Sequence, residues 1–195
     1  MAKLYFRFGA MNSGKSTAVL QVAHNYEERG MNILLIKPAT DTKGNNQIVS
    51  RLGATRKVDI LATPDINLLD AVRQWSKDVE PVSCVLTDEA QFFTSQQVDQ
   101  LLAITTDLKI PVICYGIRTD FQTKLFTGST RLFELAHTLE ELKTICRCGK
   151  KAMFNGRKIN GHFIFEGNQV AIDGQDNIEY ESLCASCYAQ YRNKS

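Results

Sequence analysis

Gly9-Ala10-Met11-Asn12-Ser13-Gly14-Lys15-Ser16 decides how the rest of this 195-residue chain is read. The stretch matches GxxxxGK[ST], a pattern whose meaning depends on its flanks. Upstream, Leu4 to Phe8 is a short aromatic run that reads as a strand ending at Gly9. Downstream, Val19, Val22, Ala23 and Tyr26 follow the i, i+3, i+4, i+7 spacing of one buried helix face, and Gly30 stands where a helix is capped. Between a strand and a helix, such a loop curls its backbone N–H groups around phosphate oxygens, and the helix N-terminus adds positive potential. Lys15 then bridges phosphate oxygens, and the Ser16 hydroxyl is placed to ligate Mg²⁺. Gly9 to Ser16 are therefore expected to bind a nucleotide.

Further along the chain the same alternation continues. Ile33 to Ile36 is an aliphatic run suited to a strand covered on both faces. Residues 38–63 are polar and irregular and read as a long connection. Leu68, Val72, Trp75 and Val79 mark a second helix, and Val82 to Thr87 a second covered strand. Thr94 with Gln97 predicts a capping box opening a third helix, before a strand at Val112 to Tyr115. Strands alternating with helices predict an α/β class with a parallel sheet and ligands beyond the carboxyl ends of its strands. After Glu141 the pattern turns β-rich, with tight turns expected at Asn155-Gly156 and Gly167-Asn168. The division expected is 1–141 for the ATP-binding part and 142–195 for a small metal-tied lobe.

Val85-Leu86-Thr87-Asp88-Glu89 ends an aliphatic run in two carboxylates, the usual form of the second acidic motif of phosphate-loop enzymes. Asp88 is expected to hold Mg²⁺. Glu89 would act on the nucleophile: if that is a hydroxyl the protein is a kinase, and if it is water the protein is an ATPase. Residue type alone leaves both open. Asp88-Glu89-Ala90-Gln91 also resembles the DExx motif of nucleic-acid-dependent ATPases, but 195 residues leave no room for the second lobe such motors use. The net charge of +2 and pI near 8.2 give no electrostatic case for a nucleic-acid binder, so phosphate recognition is expected to be local.

Composition is that of an ordinary globular chain, 44% hydrophobic and 23% charged. No signal-peptide pattern follows Met1-Ala2-Lys3 and no apolar run reaches a membrane span, so a reducing cytoplasm is expected. There the six cysteines point away from disulfides. Cys146-Arg147-Cys148 and Cys184-Ala185-Ser186-Cys187 are two short-spaced pairs that suit tetrahedral structural Zn²⁺, the other reading being a free or disulfide-bonded set. Cys84 and Cys114 lie inside aliphatic runs and read as buried small hydrophobes.

The phosphate loop with Met11, the Asp88-Glu89-Ala90-Gln91-Phe92-Phe93 segment, Asp120-Phe121-Gln122 and the paired cysteines together resemble the cellular-type (type II) thymidine kinases. The resemblance spans nearly the whole chain, in order. It implies a recombinase-like P-loop core, a β-rich zinc-binding lasso domain, and transfer of the ATP γ-phosphate to the 5′-hydroxyl of thymidine with Mg²⁺. It also implies a homotetramer that meets thymidine and ATP and no nucleic acid or membrane. By the resemblance, Glu89 is the general base and residues 88–91 lie with the ATP site. Met11, Phe92, Phe121, Tyr180 and the stretch Ala171, Ile172, Asp173, Gly174, Gln175 are expected near the nucleoside. Arg51 and Arg56 could reach phosphates from the polar connection, though solvated surface is the commoner fate of such residues.

Overall fold

The computed structural model describes residues 1–40, 46–170 and 177–194. In chain order, β1 (Leu4–Gly9) leads through the phosphate loop into α1 (Lys15–Glu27), then β2 (Ile33–Pro38), a β3 (Gln47–Val49) and β4 (Thr55–Lys57) hairpin, β5 (Ile60–Ala62) and α2 (Leu68–Asp78). β6 (Cys84–Thr87), a single 3₁₀ turn (Ala90–Phe92), α3 (Ser95–Asp107), β7 (Val112–Ile117), α4 (Thr127–Leu135) and β8 (Thr138–Glu141) follow. The remainder holds β9 (Thr144–Ile145), β10 (Lys151–Ala152), β11 (Phe154–Ile159), β12 (His162–Ile164), β13 (Ile178–Leu183) and α5 (Ala185–Arg192).

Six strands form one parallel sheet in the order β5-β2-β6-β7-β1-β8. Its side chains alternate cleanly. Leu4, Phe6, Leu34, Ile36, Val85, Val112 and Cys114 face α2, α3 and α4, where Leu68, Val72, Val98, Leu101 and Leu132 meet them. Ile33, Leu35, Cys84, Leu86, Ile113 and Tyr115 face Val19 and Ala23 of α1 on the other side. A strand buried on both faces leaves little room for polar positions, which is why the runs Ile33 to Ile36 and Cys84 to Leu86 are continuously apolar. Burial pushes the Cys84 and Cys114 thiols up to about 12, so both pack as the small hydrophobes the sequence suggests. The capping box of α3 forms in both directions: the Gln97 N–H donates to Thr94 Oγ1 and the Thr94 N–H to Gln97 Oε1, each at 3.1 Å.

Several expectations need correcting. The connection over 38–63 carries a hairpin and an edge strand, and α4 and β8 have no counterpart in the sequence reading. Asn155-Gly156 is no turn: both residues lie within β11. A Cβ on Gly156 would come 2.6 Å from Phe163 and 2.8 Å from Leu183, so the glycine admits their side chains against the strand. The turn is instead Asn160-Gly161, whose φ values of 50° and 82° are those of a type I′ hairpin closing on the Ile159–His162 pair. Among the described residues Gly167-Asn168 opens no second hairpin: β12 pairs there with β11, and β11 pairs next with β13. The distal part also has a small core of its own, in which Phe154 stacks on Tyr188 at 5.1 Å and Phe163 on Tyr191 at 4.2 Å.

Gly128 in α4 packs against the backbone that follows the acidic pair. A Cβ there would lie 2.4 Å from the Ala90 carbonyl oxygen and 2.9 Å from those of Gln91 and Phe93. Gly128→Ala is expected to cost about 2 kcal/mol by overpacking, lowering the thermal midpoint by about 6 °C. An unchanged midpoint in calorimetry would show that this backbone gives way.

Candidate active site

The loop leaves β1 at Gly9 and closes into α1 at Lys15 through two left-handed residues, Asn12 (φ 65°) and Gly14 (φ 77°). A Cβ on Gly9 would meet Ser13 Oγ at 2.4 Å and the Leu142 carbonyl oxygen at 2.7 Å, so only glycine lets the chain turn here. No side chain caps the N-terminus of α1, which leaves its first N–H groups to an anion. Lys15 is buried and its ammonium spans the loop, donating to Ala10 O at 2.8 Å and to Ser13 Oγ at 3.3 Å.

β6 ends at Thr87 and delivers both acids to the carboxyl edge of the sheet, the same edge as the loop. Asp88 Oδ1 accepts the Glu89 N–H at 3.0 Å, and the Ser16 hydroxyl donates to its carboxylate. Burial, then the neighbouring Glu89 charge, pushes the Asp88 carboxyl well above the usual carboxylate range, against the pull of Ser16 and Lys15. Beside it, Ser16, Lys37, Gln47, Asp88 and Glu89 line a hollow of about 10 Å³, the size of one water or ion. A hydroxyl and a buried carboxyl whose ionisation needs a counter-charge are hard oxygen donors, and they fit a Mg²⁺ ion.

Glu89 sits in the left-handed region at φ 52°, ψ 38°, a conformation that costs a non-glycine residue energy and needs surroundings to hold it. Gln91 supplies the hold. Its Nε2 donates to Glu89 Oε2 at 2.5 Å, and its Oε1 accepts the Ile117 N–H at the end of β7 at 3.1 Å. The side chain aims the carboxylate from a fixed strand. Gln91→Ala is therefore expected to lower kcat about tenfold while leaving nucleotide affinity unchanged; full turnover would show that Glu89 is aimed by its backbone alone.

The loop and Glu89 open on one cavity of about 1130 Å³. Phe92, Phe121, Phe126 and Tyr180 give it an aromatic wall, and Met11 of the loop and Asn155 line it as well. Of the residues singled out in the sequence, Met11 to Ser16, Glu89, Gln91, Phe92, Phe121 and Tyr180 line this space, and so does Arg51. Asp88 lies in the adjoining hollow, whereas Ala90 is fully buried in the core and Ala10 almost so. Arg56 turns away to pair with Glu27 at 2.6 Å. Ala171, Ile172, Asp173, Gly174 and Gln175 lie outside the described residues.

Three further residues organise this wall: Arg157, which carries no signal in the sequence, Asp120, singled out there only as part of the Asp120-Phe121-Gln122 motif, and Asn155. Arg157 is 3% exposed, with its guanidinium 3.8 Å from the centre of the Phe121 ring. It also donates to Tyr180 Oη at 2.9 Å and to the carbonyls of Asn168 and Gln169 at 2.7 Å each, fixing both aromatics and the approach to residue 171. Asp120 Oδ1 accepts the N–H groups of Gln122 and Lys124 at 2.8 Å, the turn that presents Phe121. Asn155, read in the sequence as a turn former, is inward-facing and bonded at both ends of its amide.

Behind the wall, the Sγ atoms of Cys146, Cys148, Cys184 and Cys187 all lie within 4.8 Å of one another, Cys148 and Cys184 at 3.5 Å. All six cysteines are free thiols. Tetrahedral Zn–S bonds of about 2.3 Å put sulfurs about 3.8 Å apart, so the cluster fits one Zn²⁺.

A parallel α/β sheet that brings a phosphate loop and a held carboxylate to one cavity with an aromatic wall, beside a buried acid, defines the class: a P-loop nucleotide-binding enzyme built for phosphoryl transfer to a planar, apolar-faced acceptor. Comparison with known proteins narrows the class. A family model described as thymidine kinase matches residues 2–188. The chain is 49% identical to a thymidine kinase of Rhodopirellula baltica over 94% of its own length and 86% of the relative's. It is 48% identical to that of Haemophilus influenzae over 97% of both chains, and 43% identical to that of Enterobacteria phage T4 over 100% and 99%. The chain belongs to the thymidine kinase family.

Proposed function

We propose that this protein transfers the γ-phosphoryl group of ATP to the 5′-hydroxyl of thymidine, giving thymidine monophosphate and ADP for DNA synthesis, with deoxyuridine as a second acceptor. The observation that carries the reading is the shared cavity: Glu89 and the phosphate loop open on the same space as the aromatic wall. In this reading residues 9–16 hold the triphosphate, and Lys15 offsets charge on the transferred group. Glu89 accepts the 5′-hydroxyl proton as the oxygen attacks. Phe92, Phe121 and Tyr180 provide the apolar face for the base, and Met11 lies between base and phosphates. Ala171 to Gln175 belong with the nucleoside side as well. Ser16 and Asp88 would hold Mg²⁺, which supplies positive charge to the phosphates when bound. The four cysteines would hold a structural Zn²⁺ that ties together both ends of residues 149–183 and so stabilises the 142–195 lobe.

The protein is further proposed to act as a cytoplasmic homotetramer without nucleic-acid or membrane partners. The near-neutral net charge supports the part of this reading that concerns nucleic acid, and among the described residues no helix is long and apolar enough to cross a membrane. The test is ATP consumption with thymidine, with single-stranded DNA and with neither. Stimulation by thymidine, with thymidine monophosphate as product, is the expected result; stimulation by DNA alone would reject it.

A further inference from the structure

Three backbone groups of the phosphate loop are held from the far end of the chain. The Met11 N–H donates to Asn155 Oδ1 at 2.7 Å, the Met11 carbonyl accepts the Ser182 hydroxyl, and the Asn12 carbonyl accepts the Thr144 hydroxyl at 3.3 Å. The pairing of β11 with β13 sets Asn155 directly opposite Ser182, so one rung of that ladder grips both sides of a single loop residue. Asn155 is 2% exposed, and its Nδ2 donates to the Thr119 carbonyl at 2.7 Å beyond the end of β7. Its amide is thereby bonded at both ends and held in place. Ser182 stands two residues before Cys184, on the strand that runs into the cysteine cluster.

An N–H given to Asn155 is not available to phosphate. Its use is to fix the curvature of the loop just before Asn12, whose left-handed φ of 65° a non-glycine residue seldom adopts on its own. A loop already held in its binding shape does not lose that freedom on binding, and affinity rises accordingly.

We propose that Asn155 and Ser182 are positioning residues for ATP: they clamp Met11 so that the phosphate loop is preformed, and through them the cysteine-tied lobe sets nucleotide affinity without touching the nucleotide. This rests on residues 9–16 being the ATP site.

The test is calorimetric binding of a non-hydrolysable ATP analogue with Mg²⁺ to the zinc-loaded protein and to its Asn155→Ala and Ser182→Ala variants. Loss of the buried bonds is expected to weaken binding about tenfold in Asn155→Ala and a few-fold in Ser182→Ala. Zinc content should be unchanged in both variants. A role confined to stability lowers the thermal midpoint but leaves the affinity of the folded protein unaltered. Wild-type affinity in both variants overturns the clamp, whereas a wild-type protein that does not bind the analogue overturns the ATP-site reading itself. Should Asn155→Ala not fold, hydrogen exchange on the unaltered protein decides. Linkage requires the analogue to slow exchange in β11 and β13 as well as in residues 9–16. Slowing confined to the loop counts against the proposal.

Discussion

Glu89→Gln is expected to bind ATP as the unaltered protein does and to turn over at least about 10²-fold more slowly, the usual contribution of a general base. The substitution is nearly isosteric, and a glutamine carbonyl accepts the Gln91 amide as the carboxylate does at 2.5 Å. Glutamine also tolerates the left-handed φ of 52° as well as glutamate, so the fold has no reason to move. What is lost is the ability to take a proton. The loss should fall on kcat, with the affinity for a non-hydrolysable ATP analogue and the thermal midpoint both retained. Near-normal turnover would remove Glu89 from the role of base. It would leave the phosphate loop responsible for the reaction through positioning and charge alone.

Removing the metal from the four-cysteine cluster is the second large effect. Cys184→Ser, or exhaustive chelation, is expected to release one zinc per chain and abolish most thymidine phosphorylation. Structural Zn²⁺ sites carry apparent binding free energies of about 10–16 kcal/mol, comparable with the whole stability of a domain, about 5–15 kcal/mol. The small aromatic core around Tyr188, Phe154 and Phe163 is too limited to replace that. The expected consequence is rapid hydrogen exchange across residues 142–194, which takes Tyr180, Asn155 and Arg157 out of the cavity wall. The six-stranded sheet, with its cores on both faces, should keep its protection. A zinc-free protein with full activity and a protected β11–β13 ladder would sink the structural-zinc proposal.

How far the fold is legible in the sequence can be judged element by element. β2, β6 and β7 announce themselves because a strand covered on both sides carries a continuous apolar run, and β1 does so by its short aromatic run ending at Gly9. The capping box of α3 is equally local, since Thr94 and Gln97 satisfy each other within one turn. α4 has no such signature. Its first turn contains Gly128, which packs against the backbone of Ala90 to Phe93, and Ser129, whose buried hydroxyl donates to the Ile117 carbonyl. β8, Thr138–Glu141, is a polar edge strand whose one neighbour is β1, and nothing in Thr-Leu-Glu-Glu specifies that pairing. Two Asn-Gly pairs compete for one turn, and propensity cannot choose between them. Phe163 and Leu183 occupy the space beside Gly156, so Asn160-Gly161 becomes the corner.

By itself the sequence determined the phosphate loop, the acidic pair, the metal-spaced cysteines and the alternating core, because each is a short-range pattern whose chemistry requires particular residues at fixed spacing. Only the tertiary structure decided what aims and shapes the site: Gln91 holding Glu89, Arg157 beneath Phe121 and Tyr180, and Asn155 with Ser182 on Met11. These contacts join residues up to 171 positions apart. A buried amide, hydroxyl or guanidinium takes its role from whichever unpaired group the fold brings within reach, and no local spacing records that partner.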